Sequence, residues 1–138
     1  MALVCDTGPI LAALDRDDRD HKRCSELIAN STEDLVVPTL VLGEVDYWCR
    51  KLGIEDAWLA FLEDVDAGAW RVEHPSLEDL RRARALQRQY MDLRLGIVDA
   101  SLAALVERWG ELKVATLDHR HFSVIRLNHV SSLTLEPG

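Results

Sequence analysis

The sequence predicts an α/β fold in which a central parallel sheet of four to five strands is flanked by helices. Three observations predict it. Short apolar runs alternate along the chain with stretches whose apolar residues recur at helical spacing, the pattern of successive βα units. The first run, Leu3-Val4-Cys5, goes straight into Asp6 and then into a helical stretch, as a buried strand feeding a helix does. A later run, 113–116, ends the same way, in Leu117-Asp118. A chain of 138 residues suits one domain, 1–138. At that size roughly two thirds of the unfolded surface can be buried, so no metal staple is needed to hold a core.

In order, residues 3–5 read as the first strand. Thr7, Gly8 and Pro9 lead into a helix carrying Ile10, Leu11, Ala13 and Leu14, with Pro9 preorganised for an early helical position. The charge run 15–20 resembles a calcium loop only superficially. Arg19 stands at a ligand position and Asp20 where the sharp turn needs Gly, so the run reads as a solvated loop. A helix over 21–29 follows, then a strand over 34–38. Thr39 is placed to cap the next helix, in which Val41, Val45, Trp48 and Leu52 form one apolar stripe and Gly53 ends the run. Residues 54–67 read as a helix with Trp58, Phe61, Leu62 and Val65 on its apolar side, and 69–72 as a third strand. Ser76-x-x-Asp79 has the form of a capping box ahead of a long helix with Leu80, Ala83, Leu86 and Tyr90 facing inward. Residues 95–109 make another helix, closed by Gly110; 113–116 is the fourth strand and 133–135 a short fifth.

Composition removes several function classes. Acidic residues outnumber basic ones by 24 to 16, a net charge of -8, which does not advertise a long electrostatic grip on nucleic acid. It leaves room for a local basic face or for a metal that supplies positive charge. No segment approaches the ~20 apolar residues of a membrane span, and the N-terminus enters a strand without the basic region of a signal peptide. Three widely spaced cysteines suggest reduced thiols, and the expected location is the cytoplasm. There is no Walker loop, no Gly-x-Gly-x-x-Gly, and no Cys–His or Ser-His-Asp order. A receiver-type module needs a Lys after a late strand, and none follows the fourth. An Asp-x-Asp phosphatase needs a second acid where Gly8 stands.

The informative residues are carboxylates. Asp6 lies at the carboxyl end of a buried strand, either capping the next helix or facing the edge where parallel sheets bind ligands. Glu44 borders the apolar stripe of its helix and must reach solvent or find a partner. Asp99 falls within the inward face formed by Leu95, Leu102 and Val106. There it is either a structural acid bonded to backbone or part of a site, near a helix N-terminus that favours negative charge. Asp118 repeats the device of Asp6, and Asp92 is more exposed, a cap or outer support. If the strands run parallel, the four acids Asp6, Glu44, Asp99 and Asp118 converge at one edge. Their mutual repulsion, about 1 kcal/mol per pair at ~4 Å in water and more in a cleft, would be relieved by a hard divalent cation. Oxygen-only ligands suit Mg²⁺ or Mn²⁺ rather than zinc. His119-x-His121 forms no zinc pattern and is given no role. Arg81, Arg84 and Arg88 recur at i, i+3 and i+7, either a solvated face or a basic stripe for RNA phosphate.

With Asp6-Thr7, Pro-Thr-Leu-Val-Leu-Gly-Glu44-Val, Leu-Gly-Ile-Val-Asp99-Ala-Ser-Leu and Thr116-Leu-Asp118 in that order, the chain resembles a PIN domain over essentially its whole length. The small single-domain form is similar to the VapC toxins of bacterial toxin–antitoxin pairs. The resemblance implies a three-layer PIN-like fold and a Mg²⁺- or Mn²⁺-dependent ribonuclease, usually a homodimer, blocked by a cognate VapB-type antitoxin. It implies Asp6 and Asp99 as central metal ligands, Glu44 as the acid of the third helix, and Asp118 as the most variable fourth acid. Thr7 and Thr116 fall on the supporting hydroxyl positions. With no other nucleophile in view, water activated by metal is the candidate for phosphodiester hydrolysis. The alternative is a catalytically inactive PIN-like module that only binds RNA or protein.

Overall fold

The computed structural model describes residues 1–111, 113–130 and 132–138. The strands are β1 (Ala2–Cys5), β2 (Asp34–Pro38), β3 (Arg71–Glu73), β4 (Lys113–Ala115) and β5 (Thr134–Glu136). The helices are α1 (Thr7–Leu14), α2 (His21–Ala29), α3 (Thr39–Leu52), α4 (Glu55–Asp66), α5 (Leu77–Gln89), α6 (Ile97–Trp109) and the single-turn α7 (His119–Phe122). The five strands form one sheet in the order β3-β2-β1-β4-β5, every neighbouring pair parallel. This is the α/β, three-layer PIN-like fold expected above, with five strands.

The chain winds outward from β1 through β2 to β3, then crosses back to the other side of β1. Right-handed crossovers therefore place α1–α4 on one face and α5–α6 on the other. The packing agrees: α1 contacts α2 and α3, α3 contacts α4, and α5 contacts α6. Winding reverses between β1 and β4, which leaves a crevice beyond their carboxyl ends. The chain continues the ladder into it, because the Asp6 backbone N–H donates to the Ala115 carbonyl at 2.8 Å.

Burial explains why short apolar runs became strands. All four residues of β1 are buried, and Val4 sits opposite both Val36 and Val114. A central parallel strand covered on both faces has no need of polar alternation. Helix α6 is buried from Ala100 through Val106, all round rather than along one stripe, because it packs on α5 and shares the core cluster with residues of β1, β2 and β4. The capping box forms as read, with Ser76 Oγ accepting from the Asp79 N–H at 3.0 Å and an Asp79 carboxylate oxygen accepting from the Ser76 N–H at 3.0 Å. Gly53 and Gly110 end α3 and α6 at φ 70° and 69°, where a side chain would be strained.

Four sequence readings are corrected. The buried line of α3 is Val41, Val45 and Cys49, at i, i+4 and i+8, while Trp48 and Leu52 are 46% and 49% exposed. The contact with α1 and α4 follows that line around the helix, and Trp48 rests edge-on against Tyr47 at 5.3 Å instead. Thr39 does not cap α3: Pro38 holds the cap position, and the Thr39 hydroxyl donates to the Glu73 carbonyl at 3.1 Å, tying the ends of β2 and β3 together. In α4 the core anchor is Phe61, between Trp58 and Trp70, whereas Leu62 is half-exposed. In α5 Leu80 is likewise half-exposed, because the capping turn directs Asp79 inward in its place.

Candidate active site

Two βα turns and two helices bring the acids together at the switch point. Asp6 follows β1 and is 5% exposed. It holds the N-cap position of α1, yet its side chain makes no cap hydrogen bond. Its Oδ2 instead accepts from the Thr116 hydroxyl at 3.1 Å. Thr116 is wholly buried, and its oxygen in turn accepts from the Asp118 backbone N–H at 2.9 Å. One hydroxyl thus fixes the ends of β1 and β4 relative to each other. Across the crevice the Thr7 hydroxyl donates to Glu44 Oε1 at 2.6 Å, which joins α1 to α3 and settles where Glu44 points.

Asp99 lies in the first turn of α6, where the helix dipole favours a carboxylate. Its side chain is 19% exposed and meets a residue the sequence reading left without a role. His121 Nδ1 stands 3.1 Å from Asp99 Oδ2 and 2.9 Å from Asp118 Oδ2. Asp118 also caps α7, its Oδ1 accepting from the His121 backbone N–H at 3.2 Å. The acids run from Asp6 at the buried floor through Asp99 to Asp118 and Glu44 at the mouth.

Electrostatics follow from this placement. Burial, then the charge of Asp99, pushes the Asp6 pKa up to about 7. Burial likewise raises Asp99, against the His121 hydrogen bond, with Asp118 and Glu44 adding to the rise. Glu44 adds to the rise at Asp6 as well, so the acids sense one another across the crevice. Such a site holds more negative charge than it can solvate, and a hard divalent cation fits its donors. Among the described residues, Asp99, Asp118 and His121 each present a ligand atom within 4.8 Å of the others; Asp6 and Glu44 stand outside that group and reach it through their charge. The neighbouring Cys5 thiol is buried and pushed well above its ordinary pKa by that burial and by Asp6, which leaves it inert as a nucleophile.

The PIN domain family model matches residues 3–127. The chain belongs to the PIN domain family. It is 36% identical over 125 residues to the ribonuclease VapC26 of Mycobacterium tuberculosis, covering 90% of this chain and 92% of that one. Among solved structures it is similar to M. tuberculosis VapC20, a Sarcin-Ricin loop cleaving toxin, with a TM-score of 0.75 at 20% identity over 81% of this chain and 86% of that one. It is also similar to VapBC2 from Rickettsia felis bound to a promoter DNA fragment, with a TM-score of 0.68 at 17% identity over 99% and 98% of the two chains. A toxin–antitoxin complex from Klebsiella pneumoniae gives a TM-score of 0.66 at 19% identity over 89% and 92%.

Within this PIN domain the arginine stripe stands apart from the acids. Arg81, Arg84 and Arg88 are all exposed on α5. Helices α5 and α6 run antiparallel, since Arg82 pairs with Glu107 at 2.7 Å and Arg108 with Asp79 at 2.9 Å. In that register Arg88 lies near the level of Asp99, while Arg81 is about 10 Å further along the axis at 1.5 Å per residue. Asp92 is exposed in the short turn Met91–Leu93 and Asp46 pairs with Arg50, so neither joins the acids. Sequence reasoning missed His121, although its position three residues after a capping Asp118 was a signal, because one helical turn returns the side chain to the cap.

Proposed function

We infer that this protein is a metal-dependent ribonuclease and the toxin of a toxin–antitoxin pair. The observation that carries the reading is the convergence of Asp6, Glu44, Asp99 and Asp118 at the switch point of a PIN fold, with Asp6 burdened by its neighbours' charge. VapC26, a named ribonuclease, supports the activity at 36% identity. Asp6 and Asp99 would hold the cation, assisted by Glu44 and Asp118. Thr116 orients Asp6 and Thr7 orients Glu44. A bound Mg²⁺ or Mn²⁺ supplies the positive charge and the activated water that phosphodiester hydrolysis requires. Arg88, nearest in level to the acids, is the member of the arginine stripe best placed for RNA phosphate.

A VapB-type antitoxin is the expected partner, and it would bring an Arg or Lys toward Asp6, Glu44 and Asp99 in place of the ion. The functional unit is a homodimer. Exposed Tyr47, Trp48 and Leu52 on α3 and Leu59 and Leu62 on α4 offer apolar surface for the second copy. The test is incubation of purified, partner-free protein with total RNA and Mg²⁺ or Mn²⁺. Cleavage that stops with excess EDTA supports the reading. Cleavage that persists in EDTA overturns the metal mechanism, and absence of any cleavage favours a binding-only PIN module.

A further inference from the structure

We propose that His121 is a cation ligand, joining Asp99 and Asp118 in a mixed nitrogen–oxygen set that favours Mn²⁺ over Mg²⁺. The proposal rests on the nuclease reading and adds to it a ligand and an ion preference. The geometry begins with the two distances from Nδ1, 2.9 Å to Asp118 Oδ2 and 3.1 Å to Asp99 Oδ2. Adjacent ligands of an octahedral ion with bonds of about 2.1 Å stand about 3.0 Å apart, being separated by √2 bond lengths. The hydrogen-bonding contacts of the metal-free protein thus hold Nδ1 at a distance from both carboxylate oxygens that two ligand edges of such an ion would also need.

The ring is held there from two sides. Its backbone N–H is tied to Asp118 Oδ1 at 3.2 Å, and the next residue, Phe122, is fully buried. Asp118 divides its work, one oxygen fixing the turn of α7 and the other facing the imidazole. The ring itself is only 18% exposed, so it cannot swing freely into solvent. In the metal-free protein Nδ1 lies at hydrogen-bond distance from Asp99 Oδ2, and binding an ion there moves the ring proton to Nε2 so that the Nδ1 lone pair faces the metal.

Donor chemistry then sets the preference. A purely oxygen set suits Mg²⁺, which keeps its waters and gains little from nitrogen. An imidazole shifts the balance toward first-row transition ions. Replacing His121 with Asp restores an all-oxygen set, which moves the preference back toward Mg²⁺.

The experiment is pulsed EPR of the metal-free full-length protein loaded with Mn²⁺, together with Mg²⁺ competition against the Mn²⁺ signal. The wild type should show hyperfine coupling to a directly bound imidazole nitrogen. His121→Gln should lose that coupling, and His121→Asp should lower the Mn²⁺-to-Mg²⁺ affinity ratio by about tenfold. His119→Gln, at an exposed neighbouring position, should keep both properties of the wild type. Mn²⁺ bound to the wild type without nitrogen coupling overturns the proposal even if the variants fail to fold, and so does an unchanged ratio in His121→Asp; either result leaves the nuclease reading standing. Nitrogen coupling in a protein that cleaves no RNA sinks the nuclease reading and keeps the ligand.

Discussion

Asp6 shows at the residue scale how one position joins function to stability. Its ordinary pKa of 3.8 is raised to about 7 in the folded protein, by burial first and by Asp99 second. Between those values the folded chain binds a proton that the unfolded chain has released, so stability falls as pH rises through that window. The loss is complete above about pH 7 and amounts to at most about 4 kcal/mol at ~1.4 kcal/mol per unit. Melting curves in EDTA should therefore show the wild type more stable near pH 5 than near pH 8. Asp6→Asn should flatten that dependence, and a profile as steep as the wild type's would assign the pH effect elsewhere.

Asp99 gives a second residue-scale prediction. Without metal, Asp99→Asn removes one charge from the cluster while its side-chain oxygen can still accept from His121. The metal-free variant should be as stable as the wild type or up to about 1 kcal/mol more stable. Added Mg²⁺ should raise the wild-type melting temperature and do much less for the variant, because an ion held only by the folded state stabilises it. An Asp99→Asn protein that melts well below wild type without metal would make Asp99 a structural acid. That Asp99 could be singled out from sequence follows from a carboxylate on an apolar helical face. His121 carried only the local signal of its spacing from Asp118; its contact with Asp99, 22 residues away, forms only when the sheet closes.

At the scale of elements, the pairing of α5 with α6 depends on Asp79. It is 2% exposed, completes the capping box of its own helix with Ser76, and accepts two hydrogen bonds from Arg108, at 2.9 and 3.0 Å. Burial pushes its pKa up, but the Arg108 and Ser76 hydrogen bonds outweigh that and hold it below the ordinary carboxylate value. The stability it contributes is present above its unfolded pKa and is lost as pH falls through the lower folded one. Asp79→Ala loses the side-chain half of the capping box and a buried charge-assisted pair, and should cost about 2–3 kcal/mol in denaturant unfolding. A loss under 0.5 kcal/mol would mean that the pairing of the two helices does not depend on it. The capping box was legible because both partners are local. The Arg108 pairing was not, since nothing in the sequence places residue 108 beside residue 79 until α5 and α6 turn back on each other. The same limit explains α3, where periodicity gave a buried face but the helices packed against it chose Cys49 over Trp48.

For the whole molecule, sheet order decides where chemistry can occur. The alternation of strands and helices was readable, and with it a parallel sheet. The order β3-β2-β1-β4-β5 is a tertiary property, and it is what sets the ends of β1 and β4 side by side. The apolar surface of α3 and α4 carries a prediction at the same scale. Trp48→Glu combined with Leu52→Glu should convert the proposed dimer to a monomer in light scattering, with the fold kept because both side chains are already about half-exposed. A dimer that survives both changes would place the interface on another surface.

We propose that the acids at the end of β1 and at the start of α6 act together on RNA. Single-turnover cleavage of RNA by wild type, Asp6→Asn and Asp99→Asn at saturating Mn²⁺, each confirmed folded by its melting curve, decides whether they do. Each variant should lose at least ~100-fold in rate while remaining folded, and the double variant should lose little more than either single one, since one site is being removed twice. A folded Asp6→Asn protein that cleaves RNA at the wild-type rate would place the chemistry elsewhere.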